Sequence, residues 1–309
     1  MIKAELIQSL SNIINVSPEQ VLTLLQNFET GDYNFFKSYY DMLTEAGFKS
    51  NTSGIVKLSV ENTAIGEGGS GVVTHNKSEP VVYKQIENFW TKKKDQLIYF
   101  KSVFKEVIIQ TLLQNDNHYG KNICKINKLY RYEKGCILKL EALESTLSDR
   151  LDKELITDIN KNSVFISEII VKLYEILDYF KNTYGFQHGD FHVDNIMTVI
   201  DGDVTSNLKL IDFGSSYAKF EDLEFGFLSE YDKDDIYRII NYVKNYGYWQ
   251  GKKRISHRLM ALIKSYLKDS TNLEPLINEL KSGNVANAAG GYKRKTRKYR
   301  FVSGKKYSF

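Results

Sequence analysis

The hydrophobic rhythm of the chain changes twice, and the order of those changes limits the folds open to it. Up to about residue 50, apolar residues recur at helical spacing. Over 55–143 they fall in short β-branched runs broken by a single long helical pattern, and after residue 145 helical spacing returns. Strands gathered in one stretch and helices in another predict segregated layers rather than an alternating βαβ sheet. The expected class is α+β, with a β-rich first lobe, a helical second lobe and a helical extension ahead of both. The expected boundaries are 1–54 for the extension, 55–143 and 144–284 for the lobes, and 285–309 for a basic disordered tail.

Within the extension, Ser17-Pro18-Glu19-Gln20 offers a cap, a proline at the first helical position and a glutamine at the third. Val21, Leu24, Leu25 and Phe28 follow at helical spacing, with Gly31 as a stop. A second helix is expected over 33–46, with Phe36, Tyr40 and Leu43 on one face. The two read as a helical hairpin that serves packing. In the first lobe, strands are expected over 55–65, at Val72-Val73, over 80–84, 126–132 and 137–143, with a helix over 97–113. In the second, Ile166, Ile169, Ile170, Leu173, Leu177 and Phe180 make a one-sided stripe. Short strands are expected over 195–200 and 208–211, helices over 234–282, and a linker over 283–291.

Composition excludes several classes. Hydrophobic residues make up 42% and charged residues 26%, enough to bury a core. No apolar run of membrane-spanning length occurs, and the first twenty residues lack the apolar block of a signal peptide. An intracellular protein is therefore expected, cytoplasmic or associated with a nucleus or virion. Cys124 and Cys136 have no metal-type spacing and are expected as reduced thiols. The net charge of +4 is local: 292–309 carries eight basic residues and no acidic one, so the remainder has 34 basic against 38 acidic. That tail, with Tyr299, Phe301 and Tyr307 among its lysines and arginines, suits nucleic acid or an acidic surface, or serves as a solubilising tail.

Four segments carry chemistry. Gly66, Gly68 and Gly71 with Val73 fit G-x-G-x-x-G-x-V. Because β-branched residues follow the glycines, the pattern favours a strand–turn–strand cover over phosphates, with an ordinary hairpin as the alternative. Lys84 ends a strand run; if buried it requires a phosphate or a carboxylate, and Glu106 is the only acidic residue between Asp95 and Asp116. His188-Gly189-Asp190-Phe191-His192-Val193-Asp194-Asn195 follows the long amphipathic helix. In it Asp190 can accept a hydroxyl proton, Asn195 can offer an amide oxygen to magnesium, and His188 can orient the loop. A transition-metal site of His188, Asp190, His192 and Asp194 is the alternative. In Ile211-Asp212-Phe213-Gly214, an aspartate after an apolar strand can hold the metal that bridges phosphates.

Taken in this order, the segments resemble the protein-kinase-like superfamily over about 55–282, in a divergent form. The resemblance implies that Ile65, Gly66, Gly68, Gly71, Val73 and Val82 cover ATP, and that Lys84 holds its phosphates and pairs with Glu106. It implies that Leu140, Glu141 and Leu143 form the hinge at adenine, and that Asp190 is the catalytic base. Asn195 and Asp212 would hold Mg2+, and Asp235 would brace the catalytic loop. Gly189 stands where an arginine is usual, which removes the common clamp on a phosphorylated segment. His192 stands at the usual lysine, and Ala-Pro-Glu is absent. The His-Gly-Asp form is similar to aminoglycoside and choline kinases and to divergent microbial and viral kinases. The resemblance thus implies phosphoryl transfer from ATP to a protein serine or threonine, or alternatively to a small molecule. A partner-binding pseudokinase is the third reading.

Overall fold

A computed structural model describes residues 2–46, 49–50, 56–57, 62–68, 71–76, 79–154, 158–198, 207–226, 235–246, 255–268, 273–283 and 285. The 292–309 tail and most of the 283–291 linker therefore lie outside the described residues. No helix among those described is long and apolar enough to cross a membrane.

The extension forms three helices, α1 (Ile2–Ile14), α2 (Pro18–Gln26) and α3 (Tyr33–Met42), not a two-helix hairpin. At α2 the reading of a cap was correct: Ser17 accepts from the Gln20 amide, and the Gln20 side chain accepts from the Ser17 amide. That helix ends at Gln26, before Gly31. A short pairing of β1 (Lys49–Ser50) with β2 (Val56–Lys57) leads into the first lobe.

The first lobe is a five-stranded antiparallel sheet in the order β3-β4-β5-β7-β6. Its strands are β3 (Asn62–Gly68), β4 (Gly71–Asn76), β5 (Val81–Glu87), β6 (Ile126–Tyr132) and β7 (Gly135–Glu141). Between β5 and β6 runs α4 (Lys93–Gln114), which begins four residues before the expected start. Its first turn, Lys93-Lys94-Asp95-Gln96, lacks apolar periodicity, yet lysine and glutamine are good helix formers. Residues 106–113 of α4 are all buried, so this second half of the helix is covered on every side. The sheet covers one side and the extension the other.

The extension also closes the β6 edge. Ala46 donates to the Arg131 carbonyl and Arg131 to the Thr44 carbonyl, while the Tyr40 hydroxyl donates to the carbonyls of Tyr132 and Gly135. Pairing an edge strand removes an aggregation surface.

The second lobe begins with β8 (Ser145–Thr146) and α5 (Leu147–Glu154), then the long α6 (Ile159–Tyr184). Asp158 caps α6 by accepting from Asn160 and Lys161, and Gly185 ends it at φ +56°. Every residue of the expected stripe on α6 is buried. Strands β9 (Ile196–Thr198) and β10 (Leu208–Leu210) pair antiparallel, with β8 beside β9. Next come the hairpin β11 (Ala218–Phe220) and β12 (Leu223–Phe225), then α7 (Asp235–Tyr246), α8 (His257–Lys268) and α9 (Glu274–Lys281). Cys124 and Cys136 are free and buried, and burial pushes both thiols up to about 12.

Candidate active site

Strand pairing places the first set of residues on one face of the sheet. Val73 lies opposite Lys84, which lies opposite Leu138, and Val82 lies opposite Leu140. Directly paired residues and those two apart along a strand share a face. Val73, Val82, Lys84 and Leu140 therefore share one surface. Gly66 pairs with Val73 and Gly68 with Gly71, so the glycine segment is strand–turn–strand, as its β-branched continuation predicted. Gly69 and Ser70 at the turn lie outside the described residues, as do the side chains of 51–71, Ile65 included.

Lys84 is buried to 7% exposure and is held by two carboxylates. Its Nζ donates to Glu106 Oε1 at 2.9 Å and to Asp212 Oδ1 at 2.9 Å. Burial alone would lower its pKa, but the opposed charges of Glu106 and Asp212 outweigh burial and hold it above the usual lysine value. Three elements converge here, since Glu106 is 22 and Asp212 is 128 residues from Lys84. The Asp212 side chain is 25% exposed, so its carboxylate reaches solvent while Lys84 and Glu106 are buried.

The 188–195 loop is fixed from behind. Asp235, at the start of α7, accepts from the amides of His188 at 2.7 Å and Gly189 at 3.3 Å. Charged acceptors make the stronger backbone hydrogen bonds. The His188 ring is fully buried among Phe186, Phe191 and Phe213, with Nε2 placed 2.9 Å from the Ile211 carbonyl. Burial lowers its pKa to about 4, so it is neutral at pH 7 and donates from Nε2. A ring so enclosed orients the loop and does not ligate metal. Among the described residues no group of three or more His, Cys, Asp or Glu could hold a metal ion, which removes the transition-metal alternative there.

Asn195 and Asp212 occupy the same end of the β9–β10 hairpin. Leu210 pairs with Ile196, and the Ile211 amide donates to the Asn195 carbonyl at 3.1 Å. The Asn195 Nδ2 donates to the Asp190 carbonyl at 2.8 Å, which leaves Oδ1 as the acceptor end of that side chain. Asp212 itself adopts φ +61°, a left-handed conformation uncommon outside glycine and found at constrained sites. An amide oxygen and a carboxylate are hard donors suited to magnesium.

The Asp190 carboxylate projects outward at 54% side-chain exposure. Two side chains flank it, with Arg238 Nη1 at 3.9 Å from Oδ1 and His192 Nε2 at 3.7 Å from Oδ2. His192 also accepts from the Asp194 amide at 3.3 Å. Arg238 was not among the residues singled out from the sequence. It follows Asp235 by one helical turn, and that i, i+3 spacing was the available signal.

Glu141 was expected at the adenine hinge. Its carboxylate accepts from Lys209 Nζ and from the Lys125 amide, both at 2.6 Å, and its own amide donates to Lys125. Leu143 is half-buried just beyond β7.

A profile of the protein kinase domain matches residues 59–222, just over half of the chain. The chain belongs to the protein kinase family. No curated protein matches it. Family membership implies use of ATP, typically with Mg2+. The match ends before Asp235 and Arg238, so the bracing of the 188–195 loop rests on the geometry described above.

Proposed function

We propose that this kinase transfers the γ-phosphoryl group of ATP to the hydroxyl of a protein serine or threonine, with Asp190 as base. The supporting observation is the convergence of Lys84, Glu106 and Asp212 beside the fixed loop that carries Asp190 and Asn195. Lys84 is held charged, and its Nζ beside the partly exposed Asp212 can neutralise phosphate oxygens. Asp212 and the Asn195 Oδ1 would hold Mg2+, which supplies charge neutralisation at the transferring phosphate. Asp190 orients the acceptor hydroxyl and takes its proton as the oxygen–phosphorus bond forms and ADP leaves. Positioning and electrostatics carry most of the acceleration.

A small-molecule acceptor is the second reading. Gly189 and His192 favour it, as does the short stretch between Gly214 and Asp235. The pseudokinase reading is disfavoured because a module that only binds partners has no need of Lys84, Asp190, Asn195 and Asp212 together. We further infer that the 292–309 tail binds nucleic acid or an acidic surface; deleting it then lowers affinity for DNA or RNA at low salt. The main test uses labelled ATP, offering generic proteins and then hydroxylated metabolites. Asp212→Asn and Asp190→Ala are run beside the parent. Labelled protein from the parent alone supports the reading; labelled metabolite alone favours the second. Equal transfer by Asp212→Asn ends the site assignment.

A further inference from the structure

The extension reaches the two parts of the site whose placement decides whether Lys84 is paired. Phe28, just beyond α2, packs edge-on against Phe225 of β12 with ring centres 5.3 Å apart. It also packs edge-on against Phe36 of α3 at 5.5 Å. Phe36 in turn lies 6.2 Å from Phe104 of α4. All four rings are buried, at 4% exposure or less. The Lys101 Nζ on α4 donates to the Glu29 carbonyl at 2.8 Å, next to Phe28 in sequence. This run of rings joins α4 to the hairpin that follows Asp212.

The geometry couples both to chemistry. Phe104 and Glu106 are two residues apart on α4, about 200° around a helix of 3.6 residues per turn. The extension therefore grips one side of α4 while Glu106 holds Lys84 from the other. A helix moves as a rigid rod, so releasing the Phe104 side displaces Glu106. Phe225 pairs directly with Ala218, six residues after Asp212. The hairpin is thus anchored at its far strand by Phe28. Gly189 stands where kinases usually carry an arginine, and the guanidinium that reaches Asp190 is that of Arg238 on α7, already engaged with the Asp190 carboxylate at 3.9 Å.

We propose that Phe28 and Phe36 are positioning residues that hold α4 and the β11–β12 hairpin in the paired arrangement. The kinase is then competent without a separate activating partner or phosphorylation of the segment after Asp212. The extension performs within the chain the ordering that such signals would otherwise supply. This inference rests on the phosphotransfer reading for its catalytic consequence, while the mechanical coupling stands apart from it.

The test uses the full chain and the variants Phe28→Ala, Phe28→Leu and Leu276→Ala, the last a buried residue of α9. Phe28→Ala should lower kcat at saturating ATP roughly ten- to a hundredfold, the range that about 1 Å of remote misplacement costs. Phe28→Leu should recover most of the loss. Leu276→Ala should lower thermal stability comparably yet keep kcat near the parent. Hydrogen exchange, which needs no turnover, should show α4 and the hairpin of Phe28→Ala loosening together, with α9 unchanged and Phe28→Leu close to the parent. Parental kcat in a folded Phe28→Ala chain overturns the proposal, as does an equal loss in Leu276→Ala. If the parent transfers no phosphate, the phosphotransfer reading fails, and exchange alone decides the coupling: loosening of only one of the two elements then refutes it.

Discussion

Replacing Gly189 with alanine should destabilise the fold well beyond an ordinary loop substitution. Gly189 has φ +79°, and a Cβ built there would lie 2.3 Å from the Ser215 carbonyl oxygen and 3.0 Å from its carbon. The left-handed conformation alone costs a non-glycine residue about 1–2 kcal/mol. The contact adds more, because backbone has to retreat by about 1 Å to reach ordinary van der Waals distance. That retreat pulls on bonds joining the same two segments. Ser216 Oγ donates to the His188 carbonyl at 2.9 Å, and Gln187 and Tyr217 exchange amide–carbonyl bonds at 3.0 and 2.9 Å. Weakening two of these at about 1 kcal/mol each brings the total to roughly 3–4 kcal/mol. Urea unfolding of parent and Gly189→Ala measures the difference, and kcat should fall alongside because Asp190 is the next residue. Gly189→Arg meets the same obstacle, so reinstating the arginine usual in kinases gives no gain. A stability within about 0.5 kcal/mol of the parent, the scatter of neutral surface changes, would refute the reasoning.

Asp235→Ala leaves the amides of His188 and Gly189 without their acceptors and should cost about 2–4 kcal/mol in thermal denaturation. Asp235→Asn, which keeps one acceptor oxygen, should lose less; equal stability of all three chains would remove the brace. His188 gives a pH signature. Burial holds its folded pKa near 4, below the unfolded value near 6.5, so the unfolded state binds the extra proton. Its contribution is intact above about pH 6.5 and is lost as pH falls toward 4, amounting to about 2 kcal/mol by pH 5. Urea unfolding at pH 7 and pH 5 should show that loss in the parent and a smaller one in His188→Gln; parallel losses would refute it.

The site was legible because its chemistry is written in short, ordered segments. A charge count left Lys84 open between a phosphate and Glu106, and the resemblance carried by the ordered segments paired it with Glu106 and grouped Asp190, Asn195 and Asp212. The strand over 126–132 and the Ser17 cap were read to the residue because a short β-branched and aromatic run and a capping sequence are local signals. What escaped was set by distant partners. The Glu141 carboxylate meets Lys209, 68 residues away, and no local pattern announces that pair. Arg238 reaches Asp190 only because α7 is docked by Asp235. The third helix of the extension was missed because 2–14 was read only as part of a helical region, without a cap to mark its end. The cover over α4 left a trace in the sequence: Val107, Ile108, Ile109, Leu112 and Leu113 spread apolar side chains over more than one helix face, which a single packing surface does not cover.

Asn195 and Ile211, which leads into Asp212, leave the β9–β10 hairpin at one end, and its other end is Thr198 and Leu208. The two oxygen donors are therefore registered by three paired residues, and that far end is itself pinned, since the Glu144 amide donates to the Thr198 carbonyl and the Asn122 side chain to the Leu208 carbonyl. A substitution that removes the buried Asn122 amide would thus reach both donors from outside the site.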